Sequence, residues 1–165
     1  MKYYDTWNSP LGEMWMQSEG ERLCGLWFAG QKYFDLTRLQ QGVRQELPIF
    51  AEAKRWLEGY FFGKVSAFTP SLRLDGTPFQ RMIWNLLLQI PYGETVTYGQ
   101  LAAQAAKELG REKMSAQAVG GAVGHNPISL IVPCHRVVGA DGSLTGYAGG
   151  VEKKAWLLEW ERKNI

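Results

Sequence analysis

A thiol and an imidazole are neighbours in the pentapeptide Pro133-Cys134-His135-Arg136-Val137. A cysteine attacks as its thiolate, so a basic or cationic neighbour governs how reactive the thiol is. The chain has two cysteines and two histidines in all, and the second histidine, His125, also lies close to Cys134 in sequence. A lone cysteine is usually a buried structural residue on a strand, but this cluster of reactive groups favours a nucleophile.

The other cysteine, Cys24, lies in the apolar run from Leu23 to Trp27 and is predicted to be a plain buried strand residue. The two cysteines are far apart in sequence, which indicates neither a disulfide framework nor a metal-ligand cluster. The sequence shows no signal peptide and no long apolar segment, so we expect a cytoplasmic location in a reducing compartment.

The composition fits a globular protein with little electrostatic bias. Its 165 residues predict one domain or two small ones, and 45% hydrophobic residues are enough to bury a core. The net charge of +2 falls entirely in residues 76–165, which hold nine basic and seven acidic residues. Proteins that coat DNA electrostatically show a stronger basic bias. Any nucleic-acid binding is therefore expected to use a compact surface and to have modest affinity.

The first part of the chain predicts a small sheet with one helix. Apolar and alternating runs predict three strands, Tyr3 to Trp7, Met14 to Gln17 and Leu23 to Phe28. Apolar residues at helical spacing predict a helix near 48–61, followed by Gly63. Residues Val65 to Leu72 are expected to return to the sheet. The segment 73–76 is the best boundary, which gives domains 1–75 and 76–165.

The second part predicts four helices. Thr77 and Thr97 are each followed three residues later by a glutamine, so both predict capping boxes, and the second of these helices runs to about Leu109. Ser115 can cap a short helix over 116–123, and the order helix, turn, helix is that of a helix-turn-helix. A hairpin over Val137 to Tyr147, turning at Asp141-Gly142, and a last helix over Val151 to Lys163 complete the prediction.

The helix after Ser115 has almost no large side chains. Gly120 and Gly121 are adjacent within it, and each glycine costs roughly 1 kcal/mol of helix stability relative to alanine. Two interpretations fit: tight packing against a neighbouring helix, or a helix lying in the narrow minor groove of DNA, where long side chains would clash. Minor-groove contact carries little sequence information, which suits a protein that inspects any DNA.

Residues 76–165 resemble one family closely. The residues that carry the resemblance are Cys134 in its pentapeptide, Asn126-Pro127, Gly146 to Gly150, and Trp156-Leu157-Leu158. In this setting they resemble the O6-alkylguanine-DNA alkyltransferases. The resemblance implies an α+β fold: a small N-terminal α/β domain with an RNase H-like antiparallel sheet plus helix, followed by a mostly helical domain with a winged helix-turn-helix. Residues 1–75 fit the first of these more loosely.

The resemblance implies DNA repair by direct reversal. Such a protein binds double-stranded DNA containing O6-alkylguanine through the minor groove and flips the damaged base out, at a cost of a few kcal/mol. The alkyl group then moves irreversibly to Cys134, with O4-alkylthymine as a further substrate. A thioether does not hydrolyse, so one molecule repairs one lesion. We expect a monomer with no cofactor, no metal and no membrane contact; the zinc ligands of some relatives are missing here.

The resemblance also assigns roles to individual residues. Cys134 is the nucleophile, His135 activates it through a water molecule, Glu161 orients His135, and Asn126 braces the turn before the active site. The residues implied to contact DNA or the flipped base are Tyr98, Gln117, Ala118, Gly121, Val137, Tyr147 and Ala148. Among these, Tyr147 forms a pocket wall, the carbonyls of Cys134 and Val137 read the guanine amine, and the Ala148 amide donates to O6. Arg136 is expected to form a structural ion pair.

Three positions depart from the family pattern. Gln117 stands where many members carry an arginine that fills the space left by the flipped base, so we expect weaker DNA affinity with the chemistry retained. Ala148 replaces a serine of some relatives, which keeps the backbone donor. Ser129 replaces a proline of some relatives, which bears on bulky substrates.

Other functions stay open at this point. A cysteine hydrolase needs a distant histidine, and His125 is the other candidate. A non-catalytic sensor of alkylated DNA replaces the active cysteine, often by tryptophan, so Cys134 argues against it. A fused transcriptional regulator needs a cysteine-rich metal domain, which this composition does not supply.

Overall fold

The structure of the protein is a computed structural model that describes residues 1–65, 68–144 and 146–165. The chain divides into two compact units. The first consists of Met1–Asp75 together with Pro127–Ser129, and the second of Gly76–Asn126 together with Leu130–Ile165. Each unit is described by itself below.

The first unit is built on a sheet of four strands in the order β3-β2-β1-β4. The three predicted strands are present as the antiparallel neighbours β1 (Lys2–Ser9), β2 (Gly12–Glu19) and β3 (Arg22–Phe28). A four-residue helix, α1 (Leu36–Leu39), precedes a two-residue strand, β4 (Val43–Arg44), which pairs with β1 in parallel. The three long strands form the predicted antiparallel sheet, and only the two-residue edge strand β4 adds a parallel pairing.

One face of the sheet is covered by helix α2 (Pro48–Phe61), with the bounds that the apolar spacing predicted. Its buried stripe includes Phe50, Ala53 and Leu57, which recur at helical spacing as an amphipathic helix requires. Gly63 follows the helix with a φ of +80°, a backbone conformation that glycine adopts without a Cβ clash.

The prediction that Val65 to Leu72 returns to the sheet is wrong for most of the described part of that segment. Leu72 forms a single parallel bridge with Leu23, and Val65 is exposed. Ser66 and Ala67 lie outside the described residues. The same edge of β3 also pairs with a segment from much later in the chain, because Leu26 and Ile128 form a parallel bridge.

Ser129 helps to hold this later segment in the first unit. Its amide donates to the Leu26 carbonyl at 2.9 Å, and its hydroxyl donates to Gln31 Oε1 at 3.0 Å. A proline has no amide hydrogen and could not make the first of these bonds. The serine at this position is thus integrated into the sheet edge.

The second unit contains the four predicted helices, α3 (Pro78–Leu87), α4 (Tyr98–Glu108), α5 (Ala116–Gly124) and α6 (Val151–Lys163). Thr77 and Thr97 form complete capping boxes, and the Ser115 hydroxyl accepts from the Ala118 amide. Helices α4 and α5 follow each other across a short turn, and both pack against α3. The indole of Trp84 donates to the Ala122 carbonyl at 2.8 Å and so fixes α3 on α5.

The predicted hairpin over Val137 to Tyr147 is only half right. A turn closes as expected, since the Gly139 amide donates to the Ser143 carbonyl at 2.9 Å. The strand before it, β6 (Val137–Val138), however pairs in parallel with β5 (Val96–Thr97). No return strand follows among residues 137–144 and 146–147, and Thr145 lies outside the described residues. The described helices include none long and apolar enough to cross a membrane.

Candidate active site

Cys134 lies at the start of a single 3-10 turn, Cys134–Arg136, and not on a strand. The apolar residues before it are buried, and Leu130 among them has a φ of +70°, which is rare for a non-glycine residue. The Cys134 amide donates to the Val132 carbonyl at 2.8 Å, so the thiol is held by a tight turn. The residue is only 6% exposed.

Asn126 connects the end of α5 to this turn. Its Nδ2 donates to the Val132 carbonyl at 2.7 Å, and its side chain also forms a hydrogen bond with the Cys134 thiol that favours the thiolate. Asn126 is buried, so both bonds are made away from water. The asparagine thereby fixes the position of the sulfur.

The imidazole of His135 is fixed in place by a hydrogen bond to the carboxylate of Glu161. His135 Nε2 and Glu161 Oε2 are 2.5 Å apart, and both side chains are at most 1% exposed. Burial alone would raise the pKa of Glu161, but hydrogen bonds and charges from His135 and Arg136 outweigh it and lower the pKa to about 2. The carboxylate is therefore ionised at neutral pH and accepts, so Nε2 carries the hydrogen. Nδ1 keeps its lone pair and receives no hydrogen bond from the described residues.

Arg136 completes the network around Glu161. Its Nε donates to Glu161 Oε1 at 2.8 Å, and its Nη1 donates to the Ile90 carbonyl at 2.7 Å. The Gly93 amide also donates to Glu161 Oε1, at 3.2 Å. The expected structural ion pair of Arg136 is present, and it uses the same carboxylate that holds His135. A buried ion pair costs less when hydrogen bonds satisfy its remaining atoms, as they do here.

The resting pair consists of a neutral thiol and a neutral imidazole. Burial raises the pKa of Cys134, and the hydrogen bond from Asn126 and the charge of Lys154 oppose this rise only in part. Burial also lowers the pKa of His135, against the opposing effect of Glu161. A thiolate at Cys134 would therefore form only with a base that accepts the proton. Nδ1 of His135 has the free lone pair to do so.

Two tyrosines lie around this pair. Tyr98 is the first residue of α4, and its side chain lies close to the backbone of Gly120 and Gly146. A Cβ added to either glycine would be 3.9 Å or 3.4 Å, respectively, from the Tyr98 side chain. The buried ring of Tyr147 meets His135 edge to face with 6.5 Å between ring centroids. Burial raises the pKa of Tyr147 well above its usual value, so both phenols are neutral hydrogen-bond donors at neutral pH.

Comparison with known proteins identifies the family to which this arrangement belongs. Residues 2–75 match the family model described as 6-O-methylguanine DNA methyltransferase, ribonuclease-like domain. Residues 78–163 match the model described as 6-O-methylguanine DNA methyltransferase, DNA binding domain. The chain belongs to the 6-O-methylguanine DNA methyltransferase family. Its α+β fold, with a ribonuclease-like first part and a helical DNA-binding part, is the predicted one.

Named relatives cover nearly the whole chain. The methylated-DNA–protein-cysteine methyltransferase of Methanosarcina acetivorans is 44% identical over 96% of this chain and 97% of its own length. That of Haemophilus influenzae is 40% identical over 97% of this chain and 86% of its own length. The crystal structure of Mycobacterium tuberculosis OGT in complex with DNA is 41% identical, with a TM-score of 0.85 over 99% of this chain and 94% of that one.

The structure places the other residues implied by the family resemblance in two groups. Asn126, Tyr147 and Glu161 lie with Cys134 and His135, and the Val137 amide donates to the Cys134 carbonyl. Ala148 lies half-buried in the turn before α6. The second group, Gln117, Ala118 and Gly121, lies on the exposed face of α5. These three have no described contact with the thiol.

His125 and Cys24, the second histidine and the second cysteine of the chain, have no described contact with the Cys134 thiol. His125 is exposed at the end of α5, where its Nδ1 donates to the Gly121 carbonyl at 2.7 Å. Its placement gives no support to a hydrolase. Cys24 is buried on β3 as predicted, beside a cavity of about 570 Å³ in the first unit. Burial raises its pKa to about 11, so it is a poor nucleophile.

One buried charged residue close to the Tyr98 ring was missed by the sequence analysis. Lys154 is fully buried on α6, and its Nζ lies 5.7 Å from the centroid of the Tyr98 ring. A signal was available, because Lys154, Leu157 and Glu161 recur at helical spacing and so share the buried face of the helix. A lysine in a buried stripe departs from the ordinary pattern and marks a position of interest.

Proposed function

We propose that this protein repairs DNA by direct reversal, moving the alkyl group of O6-alkylguanine irreversibly onto Sγ of Cys134. The observation that carries the proposal is the buried thiol of Cys134 next to the imidazole of His135. Nε2 of that imidazole is hydrogen-bonded to the ionised carboxylate of Glu161. The names of the relatives and the DNA complex of the Mycobacterium tuberculosis protein support the same reaction.

The step is a displacement at the alkyl carbon. The bond from Sγ to carbon forms as the bond from carbon to O6 breaks, and the electron pair of that bond goes to the guanine. The thiol proton passes through a water molecule to Nδ1 of His135, while Glu161 stabilises the imidazolium that forms. The guanine then takes up a proton and is restored. No leaving group remains on the thioether, so each molecule acts once.

The base must leave the helical stack to reach a thiol that is only 6% exposed. Tyr98 and Tyr147 provide aromatic surfaces beside the thiol, and both are proposed to contact the extruded base. The carbonyls of Cys134 and Val137 are proposed to accept from the guanine amine, and the Ala148 amide to donate to O6. These contacts would bring the alkyl carbon to the sulfur.

The exposed face of α5 is proposed to enter the minor groove, with Gln117, Ala118 and Gly121 against the DNA. A Cβ on Gly121 or Gly124 would meet no described atom within 4 Å, so packing within the described chain does not require these glycines. Close approach of a DNA backbone does explain them. We propose residues 76–165 as the domain that binds DNA and carries the chemistry, and 1–75 as a separate N-terminal domain.

The deciding experiment is intact mass measurement after the protein is mixed with duplex DNA that contains O6-methylguanine. We expect a gain of one methyl group, saturating at one per protein, and peptide mapping should place it on Cys134. A Cys24→Ala variant serves as the control and should gain the same mass. No gain with a reduced thiol would favour a non-catalytic lesion sensor. Parallel reactions with O4-methylthymine test the wider substrate range.

Gln117→Arg is expected to tighten DNA binding. The added cation would lie on the exposed start of α5, where it can pair with phosphate and release a counterion, which predicts roughly three- to tenfold higher affinity at low salt. Fluorescence anisotropy with a labelled duplex measures the change across a salt series. Gln40→Arg adds the same charge in the first unit and is expected to have a smaller effect. Equal effects of the two variants would remove position 117 from the interface.

A further inference from the structure

The cavity of about 570 Å³ in the first unit lies on the face of the sheet opposite to helix α2. Asp5 on β1 faces α2, because its carboxylate accepts from Lys54 Nζ at 2.7 Å. Asp5 pairs with Met16, so the next residue along β2, Gln17, points to the other face, and Gln17 lines the cavity. All of the lining residues belong to the first unit, and the volume is large enough for a small molecule.

One wall of the cavity is a pair of stacked aromatic rings. The ring of Trp27 stacks on that of Phe34, with 4.9 Å between the ring centroids and 15° between the planes. A Cβ added to Gly25 would lie 1.9 Å from the Trp27 indole, so the indole occupies the space that a side chain at position 25 would take. This wall is therefore fixed by packing against the sheet and against Phe34.

The residue before Phe34 adopts a backbone conformation that is rare without glycine. Tyr33 has a φ of +65°, and it lines the cavity with a side chain that is 59% exposed. Strained residues of this kind persist where the surrounding structure holds them, and they cluster at binding sites. The strain at Tyr33 favours a binding surface over a chance gap in the packing.

The side-chain acceptors that line the cavity already have partners. Gln17 Oε1 accepts from the Cys24 thiol at 3.6 Å. Asp35 caps helix α1, and its Oδ1 accepts from a backbone amide at 3.1 Å. Asp75 Oδ1 accepts from Arg73 Nε at 2.9 Å, and this ion pair neutralises its charge. A ligand that supplies mainly hydrogen-bond donors would find few acceptors here.

The side-chain donors of the same lining are in the opposite situation. Within the described part of the chain, no hydrogen bond or ion pair is formed by Lys2 Nζ, the Arg38 guanidinium or Gln17 Nε2. Lys2 and Arg38 are exposed, so they lie at the mouth of the cavity and not in its interior. The cavity thus offers two cations and an amide donor to a group that accepts hydrogen bonds.

We propose that this cavity binds a small aromatic anion, a planar ring that carries a carboxylate or a phosphate. The ring would contact Phe34 and Tyr33, and the anionic group would accept from Arg38, Lys2 and Gln17. Hydrogen bonds between charged groups are stronger than neutral ones, and a guanidinium matches the geometry of both carboxylate and phosphate. None of the lining residues belongs to the site proposed for alkyl transfer.

The test is a heteronuclear NMR titration with three probes that share one ring system: naphthyl phosphate, naphthoate and the uncharged naphthalenemethanol. Binding should shift the indole N–H of Trp27, identified with a Trp27→Phe variant, and the side-chain amide of Gln17. We expect the better anion to bind at least about tenfold more tightly than the alcohol. Which of the two anions binds better shows whether the natural ligand carries a phosphate or a carboxylate.

A double variant, Lys2→Gln with Arg38→Gln, removes the proposed anion contacts at exposed side chains, so the fold should be retained. It is expected to weaken binding of the anionic probes by about tenfold and to leave the alcohol unchanged. The matched control is Arg22→Gln with Lys64→Gln, which removes the same charges from exposed positions of the first unit outside the cavity lining. Equal losses in the two double variants would mean that only the overall charge matters, and would contradict a site.

Phe34→Leu tests the aromatic wall separately. It is expected to weaken all three probes by a similar factor, and unchanged binding would remove the ring from the site. The proposal as a whole is overturned if no probe shifts the Trp27 and Gln17 signals, or if the anions and the alcohol bind equally well. The titrations contain no DNA, so their outcome is independent of whether the protein repairs O6-methylguanine, which the intact mass measurement reports.

Discussion

Cys134→Ala is expected to abolish alkyl transfer and to leave DNA binding intact. The side chain that forms the new bond is removed, while the α5 face proposed to contact DNA is unchanged. The substitution deletes one buried sulfur atom, and small losses of buried volume of this kind leave most folds intact. Transfer of a labelled methyl group from O6-methylguanine in duplex DNA measures the first effect, and fluorescence anisotropy measures the second.

Cys24→Ala is the matched control, since it removes the other buried cysteine of the chain. Transfer should continue at the wild-type rate, because burial holds the pKa of Cys24 near 11 and its Sγ is hydrogen-bonded to Gln17 at 3.6 Å. Transfer retained by Cys134→Ala would move the nucleophile elsewhere. Loss of DNA binding in that variant would mean that the thiol turn, and not α5 alone, shapes the DNA surface.

Glu161→Gln is expected to slow alkyl transfer at neutral pH by roughly 100-fold, the size of a lost general-base contribution. The glutamine can still accept from Nε2 of His135, but it brings no negative charge to stabilise the imidazolium. Single-turnover kinetics with the O6-methylguanine duplex measure the rate, at a temperature well below unfolding. An unchanged rate would remove Glu161 from the mechanism.

The same change is expected to destabilise the fold, because Arg136 would keep a buried charge without an anionic partner. Breaking a buried ion pair in this way costs about 3–5 kcal/mol. Glu159→Gln is the control on the same helix: Glu159 pairs with Arg162 at 2.7 Å, but both side chains are well exposed. Exposed pairs contribute at most about 1 kcal/mol. Denaturant unfolding should separate the two variants clearly, and equal losses would contradict the buried network.

The pH dependence of stability gives an independent readout of Glu161. The pKa of the Glu161 carboxyl is 4.5 when it has no partners, as in the unfolded chain, and about 2 in the folded protein. The ion pair therefore stabilises the protein fully above pH 4.5. That contribution is lost as the pH falls towards 2, and it is on the order of 3 kcal/mol. Glu161→Gln should lack this part of the acid transition, whereas Glu159→Gln should retain it.

The helices could be predicted because their signals are local. The capping boxes at Thr77 and Thr97 and the cap at Ser115 each involve residues three positions apart, and the structure confirms all three. The last helix was predicted with its observed bounds, Val151–Lys163. A cap is satisfied within one turn, so it depends little on the rest of the fold.

The short strands could not be predicted in this way. Val43–Arg44 and Val137–Val138 are two residues each, and each pairs in parallel with a strand many residues away. Two residues carry no alternating pattern, so only the partner makes them strands. The predicted return of Val65 to Leu72 and the predicted hairpin failed for the same reason, since a local apolar run does not specify which strand it meets.

By itself the sequence predicted Cys134 as the nucleophile, with its neighbouring histidine and the helix that carries Glu161, because the motif around Cys134 is short and specific. Only the tertiary structure decided how these groups are charged. Glu161 binds His135 and Arg136 at once, and Lys154 is buried near the thiol. Burial shifts each of their pKa values in a direction set by neighbours distant in sequence, and no reading of local spacing contains that environment.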